Sequence, residues 1–568
     1  MIKRLFILLF GLFLLLAGVI GYLIVTFDEE RYRPMLEAQL SSVLGQPVKI
    51  GQISLAWSGN LSLKANQVQV YPKSGSVDQP AVAVESLEGS LRIAPLLEKK
   101  IQLSRLVIKQ PQLHLLREAD GKIQIVGFEV PKPSVTPEPS SSPPSPETPA
   151  VSPKSRPSLP AVSVSFEKVQ VVQGQVQVTD KQMEPELHLT VKQLDLEMSD
   201  VLSKKPSKVR GELSVFGSKQ NVQVNGVVHW AQEGKPISIE GLEVEVNLEQ
   251  VDMAQLVAAF PALEAVGLGS ELSGVLQVEP KQEQTQVTLK NGALSLKALP
   301  SSLENCQFVG QIVGDQIDVE TLTFDLGAGQ VELSGSIQDW NQTPLSDVGL
   351  QIKRVRLESL LPPSKPGHPT LRGSLNVSSK AVLEGLEWKH WVQTATGDLE
   401  LAIDDGVVEN LNVLREVFRR IAIIPGLLEM LESRLPESYR AKLMARDTAL
   451  EVVEFEAQAK QGSSTLKRFT VGTDTFQLSG EGWWESDGSF SIPATLRVER
   501  ELSAVMVRSV NELEGLVDPS GRLKFPVRME GKWPQVQVLP DIEYIASHIL
   551  VSKAQEWIGD LIGKVLEG

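Results

Sequence analysis

Cysteine is almost absent from this chain: Cys306 is the only one in 568 residues. That excludes an internal disulfide framework, a CxxC redox pair and a cysteine-based zinc site. Histidine is scarce as well. The six (His114, His188, His229, His368, His390 and His548) are scattered, and no two stand at HxH or HxxxH spacing. Aromatic residues make up 5%, low for a carbohydrate-binding surface or a large compact core. Basic residues are outnumbered, 55 Lys+Arg against 70 Asp+Glu for a net charge of −15, which argues against nucleic acid as a partner. No GxSxG elbow, P-loop, HExxH or GxGxxG occurs, so the chain is not expected to be an enzyme and no catalytic residue, metal or cofactor is expected. Asp404-Asp405-Gly406 comes nearest to a carboxylate pair, but Asp-Gly after an alternating strand reads as a turn. Cys306 reads as a small packing residue, with neither a thiol partner nor a histidine near it in sequence.

What the chain does hold begins with Leu5 to Phe27, 23 consecutive positions without a charge. At 1.5 Å per residue this run suffices to cross a hydrocarbon core of ~30 Å. Lys3 and Arg4 precede it and Asp28, Glu29 and Glu30 follow. The positive-inside rule then places the N-terminus in the cytoplasm and the body on the far side. The alternative is a cleaved signal peptide, whose apolar region normally spans about 7–15 residues. Leu16-Ala17-Gly18 resembles a lipoprotein signal, but Val19 stands where cysteine is required. A single-pass, uncleaved anchor is therefore expected, since no second run approaches this length.

Residues 29–44 read as a short helix stopped by Gly45, with Leu36, Leu40 and Val43 at helical spacing. Beyond Gly45 the apolar period changes to two: Val48 and Ile50, then Ile53, Leu55 and Trp57, then Leu61 and Leu63, then Val68 and Val70. This is the pattern of half-buried antiparallel strands joined by tight turns. It runs to about residue 130. Residues 131–160 hold eleven prolines in thirty positions and read as a disordered, semi-extended linker. Alternation resumes at Ala161 and continues past residue 400, interrupted by a short helix at 252–266 that Pro261 is expected to end or kink. Later helices are expected at 408–432, broken at Pro425-Gly426, and at 541–566, an amphipathic stretch with Asp541 in cap position.

A short unit recurs: VQVNG at 222–226, VELSG at 331–335, FQLSG at 476–480 and VRMEG at 527–531. Tryptophan follows each glycine within a few residues, at Trp230, Trp340, Trp483 with Trp484, and Trp533. The gaps between copies are unequal, so this reads as a recurrent strand–turn–strand unit with insertions and the tryptophans as turn-packing residues.

The predicted fold class is thus mainly β: an N-terminal transmembrane helix, then an elongated antiparallel sheet with a few short helices and a C-terminal amphipathic helix. The apolar face of every strand needs a cover. A second sheet would make a sandwich, and a closed barrel would cover itself. A sheet curled into a trough would leave an apolar groove for lipid chains. The expected segments are 1–27 (cytoplasmic tip and anchor), 28–130, 131–160 (linker), 161–405 (central β-groove), 406–540, and 541–568 (terminal helix).

The chain resembles the AsmA family of bacterial envelope proteins. The resemblance lies in the opening from the anchor through Asp28, Tyr32, Pro34, Leu40 and Gly45 into GQPVKIGQISLAWSGNLSLKANQVQV, and in GDLELAIDDGVVENLNVLREVF (397–418) and FTVGTDTFQLSGEGWW (469–484). It implies an inner-membrane anchored periplasmic protein with a repeating β-groove, associated with outer-membrane biogenesis and related to bridge-like phospholipid transporters. Groove candidates are Val222, Val224, Val331, Leu333, Phe476, Leu478 and Val527. Arg415, Arg419 and Arg420 are candidates for meeting lipid headgroups or the membrane, with a solvated helix face as the alternative. The expected partners are phospholipid, the inner membrane through residues 5–27, and an envelope protein at the C-terminal helix. The competing class is a scaffold or assembly factor whose sheets pack on each other.

Overall fold

A computed structural model describes residues 28–57, 61–72, 79–91, 103–128, 166–183, 186–202, 205–230, 238–261, 263–264, 267–281, 283–340, 343–361, 368, 370–385, 388–420, 427–532 and 535–548. The expected anchor (5–27), the proline-rich linker (131–160) and the stretch after His548 lie outside the described residues. No helix among the described residues is long and apolar enough to cross a membrane. The chain divides into two units, Met1–Ala265 with Gln277–Lys281, and Val266–Leu276 with Gln282–Gly568.

The described part of the first unit opens with helix α1 (Glu29–Leu44). Asp28 caps its first turn by accepting from the Arg31 amide, and Gly45 ends it in the left-handed region. Among the described residues the strands that follow are β1 (Val48–Trp57), β2 (Leu61–Val70), β3 (Val82–Leu91), β4 (Leu103–Lys109), β5 (Gln112–Arg117), β6 (Ile123–Ile125), β7 (Phe166–Asp180), β8 (Leu187–Val201), β9 (Ser207–Val215), β10 (Val222–His229) and β11 (Ser238–Asn247). Helix α2 (Met253–Ala259) comes next, capped by Asp252. It stops at Phe260, which leaves the helical region ahead of Pro261, the residue expected to end or kink the 252–266 segment, and Leu263-Glu264 are helical again.

Helix α1 lies along the free edge of β1. Glu29, Arg33, Glu37 and Ser41, spaced four apart and so on one stripe, each bond the β1 backbone. Glu29 accepts from the Ile53 amide, Glu37 from Ile50 and Ser41 from Val48, while Arg33 donates to the Gly51 carbonyl. A helix thus satisfies the edge that another strand would otherwise pair with. Leu36 and Leu40 pack on the cluster of Val48, Ile50, Ile53, Ala65, Val68 and Val70.

One departure from the antiparallel expectation stands out. β4 and β5 are a single line broken at Gln110-Pro111, and both pair with β7 in parallel. A parallel pair needs a crossover, since a hairpin cannot make one. The long stretch between Phe128 and Phe166, which contains the proline-rich segment, supplies that connection.

The second unit is a meander. Its strands are β12 (Leu268–Pro280, within which the division falls), β13 (Thr285–Leu296), β14 (Leu303–Val313), β15 (Gln316–Leu326), β16 (Gly329–Gln338), β17 (Leu345–Arg356), β18 (Thr370–Glu384), β19 (Thr396–Glu409), β20 (Thr448–Leu450), β21 (Val452–Lys460), β22 (Ser463–Gly472), β23 (Phe476–Glu485), β24 (Ser489–Val498), β25 (Lys524–Lys532) and β26 (Gln535–Pro540). From β14 to β20 and from β22 to β26 each pairs antiparallel with its predecessor, and β19 serves both β20 and β21.

Helices α3 (Trp388–Thr394), α4 (Val413–Arg420), α5 (Leu427–Arg434), α6 (Glu437–Met444) and α7 (Arg500–Ser509) fill connections. Three of these, α3, α6 and α7, were not expected. The expected 408–432 helix is corrected: β19 runs on to Glu409, and α4 starts only at Val413. Asp405-Gly406 is no turn either. It lies inside β19, with Asp405 at φ 52°, as a bulge.

Such bulges recur in several strands of the second unit. The register shifts between Leu289 and Gly292, Glu304 and Gln307, Ile352 and Val355, and Arg372 and Ser374. Asn291, Asn305, Arg354 and Asp405 take positive φ there. The bulge frees an amide from the ladder, and a neighbouring strand replaces the partner: Arg354 N–H donates to Asn376 Oδ1 at 3.0 Å, as Gln173 N–H does to Asp195 Oδ1 at 2.7 Å in the first unit. Bulges bend the strands that carry them. Beyond the β14 and β17 bulges lie the sealed residues Leu303 and Val355, with Leu326 paired to Leu303 and sealed as well.

Candidate functional site: an apolar face with one sealed rim

Cross-strand registers join the apolar positions into rows. In the first unit one row runs Ile53, Ala65, Leu87, Ile108, Val171, Leu196, Gly211, Val224, Val244, from β1 to β11. In the second unit a deep row runs Phe324, Val331, Ile352, Val377, Leu401, Phe455, Phe469, Gly480, Ala494, Val527, Pro540, from β15 to β26. A parallel row one step out includes Leu289, Phe308, Leu322, Leu333, Leu350, Leu399 and Leu466. Between these rows, on the opposite face, stand Glu332, Gln351, Ser378, Glu400, Glu456 and Arg468 in mutual register. The alternation seen in sequence is therefore a face carried through the ladder from strand to strand.

The two rims of this face differ. Along one, the connections are built of packed apolar side chains. Leu357 of the β17–β18 connection is buried, and α4 to α7 with the α5–α6 link contribute Leu414, Leu431, Leu435, Leu443, Leu502 and Met506 to the largest core cluster, together with Leu496, Val498 and Phe525 of the strands. Along the other rim the connections are mostly short, as at Gly314-Asp315, Gln461-Gly462 and Ser486–Gly488. There the apolar residues stay uncovered: Leu399 is 38% exposed. Val355, on the sealed side, is 0% exposed. The apolar clusters between β13 and β22 draw their members from consecutive strands and their connections. Among the described residues no facing layer covers the half-buried middle rows.

The sequence candidates fall unequally on this surface. Val224 and Leu333 are half-buried on the apolar face, while Val222, Val331 and Val527 are buried deeper in it. The copies in β16 and β25 are in register, because Val331 and Val527 share the deep row and Gly335 and Gly531 an outer one. The β23 copy is displaced by four residues, so that Gly480 takes the place in the deep row. Phe476 thereby falls beyond the row and is buried at 3% exposure among α7 and its neighbours, with Leu478 packed beside it. All four repeats lie within strands, not at strand–turn–strand corners. Arg415 is engaged by Glu432 at 3.0 Å. Arg419 is exposed on α4, and the side chain of Arg420 lies outside the described residues.

A sheet whose apolar face is sealed along one rim and left half-covered in the middle defines a β-groove protein. The family model for AsmA matches residues 1–270 and 269–469, and the chain belongs to the AsmA family. No curated protein and no solved structure matches it.

Proposed function

We propose that this chain conveys phospholipid along its apolar face in the bacterial envelope, held to the inner membrane by residues 5–27 with its body in the periplasm, and so contributes to outer-membrane biogenesis. The observation that carries the reading is the continuous apolar row from Phe324 to Pro540, bordered by half-exposed residues such as Leu333 and Leu399. Membership of the AsmA family supports it. Acyl chains on these rows gain about 0.8 kcal/mol per methylene removed from water. Neighbouring positions offer like contacts, so a chain slides by exchanging one for the next. Binding then needs no specific residue.

Photo-crosslinking in cells tests this. A photoreactive amino acid at Leu333 or Leu399 is expected to yield phospholipid adducts, and one at Glu332 or Glu400, on the opposite face, is not. Absence of adducts at all four sites, or equal yield on both faces, would overturn the proposal. A second reading, an assembly scaffold, is favoured at the helix-packed end around β23 to β25, where protein already covers Phe476, Leu496 and Phe525. Adduct-free positions confined to that end would assign it the scaffold role.

A further inference from the structure

The tryptophans that follow the repeated glycines have no part in the reading above. In the first unit Trp230 is half-buried and donates its indole N–H to Ser207 Oγ, as a turn-packing residue should. In the second unit the arrangement differs. β16 and β23 run in the same direction, toward the open rim, so their tryptophans arrive there. Trp340 follows β16 at 44% exposure, and Trp484, at the end of β23, is 49% exposed. Trp484 sits opposite Ser464 and Phe490 on the apolar face, in the row of Val348, Ala381 and Gly397, with Ile337, Ser346 and Leu383 one step further out on β16 to β18. Trp391 of α3 is half-buried at the same rim and donates its indole N–H to the Gly385 carbonyl at 2.8 Å.

The depth below the Trp484 row can be read along β17. Val348, Leu350 and Ile352 face the groove before the bulge, and Val355 beyond it is sealed. Four residues at about 3.3 Å give roughly 13 Å from Val348 to Ile352. One leaflet of a bilayer has about 15 Å of hydrocarbon, half of the ~30 Å core. From the Trp484 row inward the groove is therefore about as deep as the tails of one lipid monolayer. Indole rings concentrate at membrane–water boundaries, where an apolar body and a polar N–H are both served.

Resting on the reading of this face as a lipid path, we propose that Trp340 and Trp484 mark the level of the lipid polar groups. Two-tailed lipids then lie with their tails across the strands toward the sealed rim and their headgroups at the open rim. Single-tryptophan forms of the full chain, retaining Trp340 or Trp484 with the others changed to phenylalanine, are to be mixed with phosphatidylcholine brominated near the glycerol or near the tail end. The shallow label is expected to quench both tryptophans at least about twofold more than the deep label, as at a bilayer boundary. Binding of both lipids with equal or stronger quenching by the deep label, or with no quenching, overturns the assigned orientation while leaving lipid conduction intact. Failure of either lipid to co-elute with the wild-type chain overturns conduction itself. Should the multiple replacement fail to fold, W484F in the otherwise native chain, read as loss of the shallow-quenched component, carries the same test.

Discussion

Leu399→Glu separates an uncovered apolar face from a covered one. Leu399 is 38% exposed, so the fold covers roughly three-fifths of it. Full burial of a leucine side chain is worth about 1.5–3 kcal/mol, which puts the lost burial at about 1–2 kcal/mol. The new carboxylate keeps its water through the exposed side and brings little desolvation cost. At Val355, which is 0% exposed, an aspartate would be both unpaired and dry, at about 4 kcal/mol or more. Lipid occupancy should show the opposite order. A tail laid over the introduced carboxylate strips that water, and a charge at hydrocarbon depth costs about 3 kcal/mol, roughly a hundredfold in local residence. Thermal unfolding together with lipid transfer between liposomes reads both quantities. Leu399→Glu is expected to melt near the wild type and transfer far less. An unfolding transition lowered as much as that of Val355→Asp would mean that protein covers the face, and an undiminished transfer rate would mean that lipid does not travel there. Either result would falsify the argument.

Three further outcomes are expected. Glu29→Ala with Glu37→Ala leaves the Ile53 and Ile50 amides of β1 without acceptors, at about 1–3 kcal/mol each; hydrogen exchange should accelerate at those amides while β24 stays protected. Gly335→Ala should destabilise strongly, by roughly 3 kcal/mol or more, because φ is +148° and the new Cβ would lie 1.9 Å from the Asp347 carbonyl oxygen; Gly314→Ala, at φ +58° with open space around it, should cost only about 1 kcal/mol, and paired melting curves decide. Asp487 is held at about 2 by the Ser489 hydroxyl and amide and by Lys532. Its folded value lies below the ordinary aspartate value near 4, so its stabilising effect is complete above that ordinary value and is lost as pH falls toward 2; the difference between wild type and Asp487→Asn should shrink over that window, and a difference that persists at pH 2 would contradict the assignment.

Much of this fold is legible in the sequence. The change of apolar period after Gly45 marks where α1 ends and β1 begins, because a helix and a pleated strand bury different spacings. The alternation through Val222, Val224, Val331 and Leu333 identifies one face of each strand, since a side-chain period of two leaves no other arrangement. Other features escaped for physical reasons. Asp405-Gly406 carries the same residues in a bulge as in a hairpin turn, because both need positive φ, and only the ladder on either side distinguishes them. Helix α7 has its apolar residues clustered as in a strand, and its docking against β23 to β25 decides between the two. The parallel pairing of β4 and β5 with β7 depends on contacts across the long connection between Phe128 and Phe166, which no local pattern reports.

The sequence by itself determined that each strand has an apolar face, because alternation is a local property of the backbone. Only the tertiary structure decided which of those faces are covered. Leu478 and Leu333 occupy equivalent places in their repeats, yet Leu478 packs against the helix-covered core cluster and Leu333 is left half-covered among the strands. The difference comes from a four-residue displacement in strand register and from where bulges turn the strand ends, and both are set by contacts between strands, not within them.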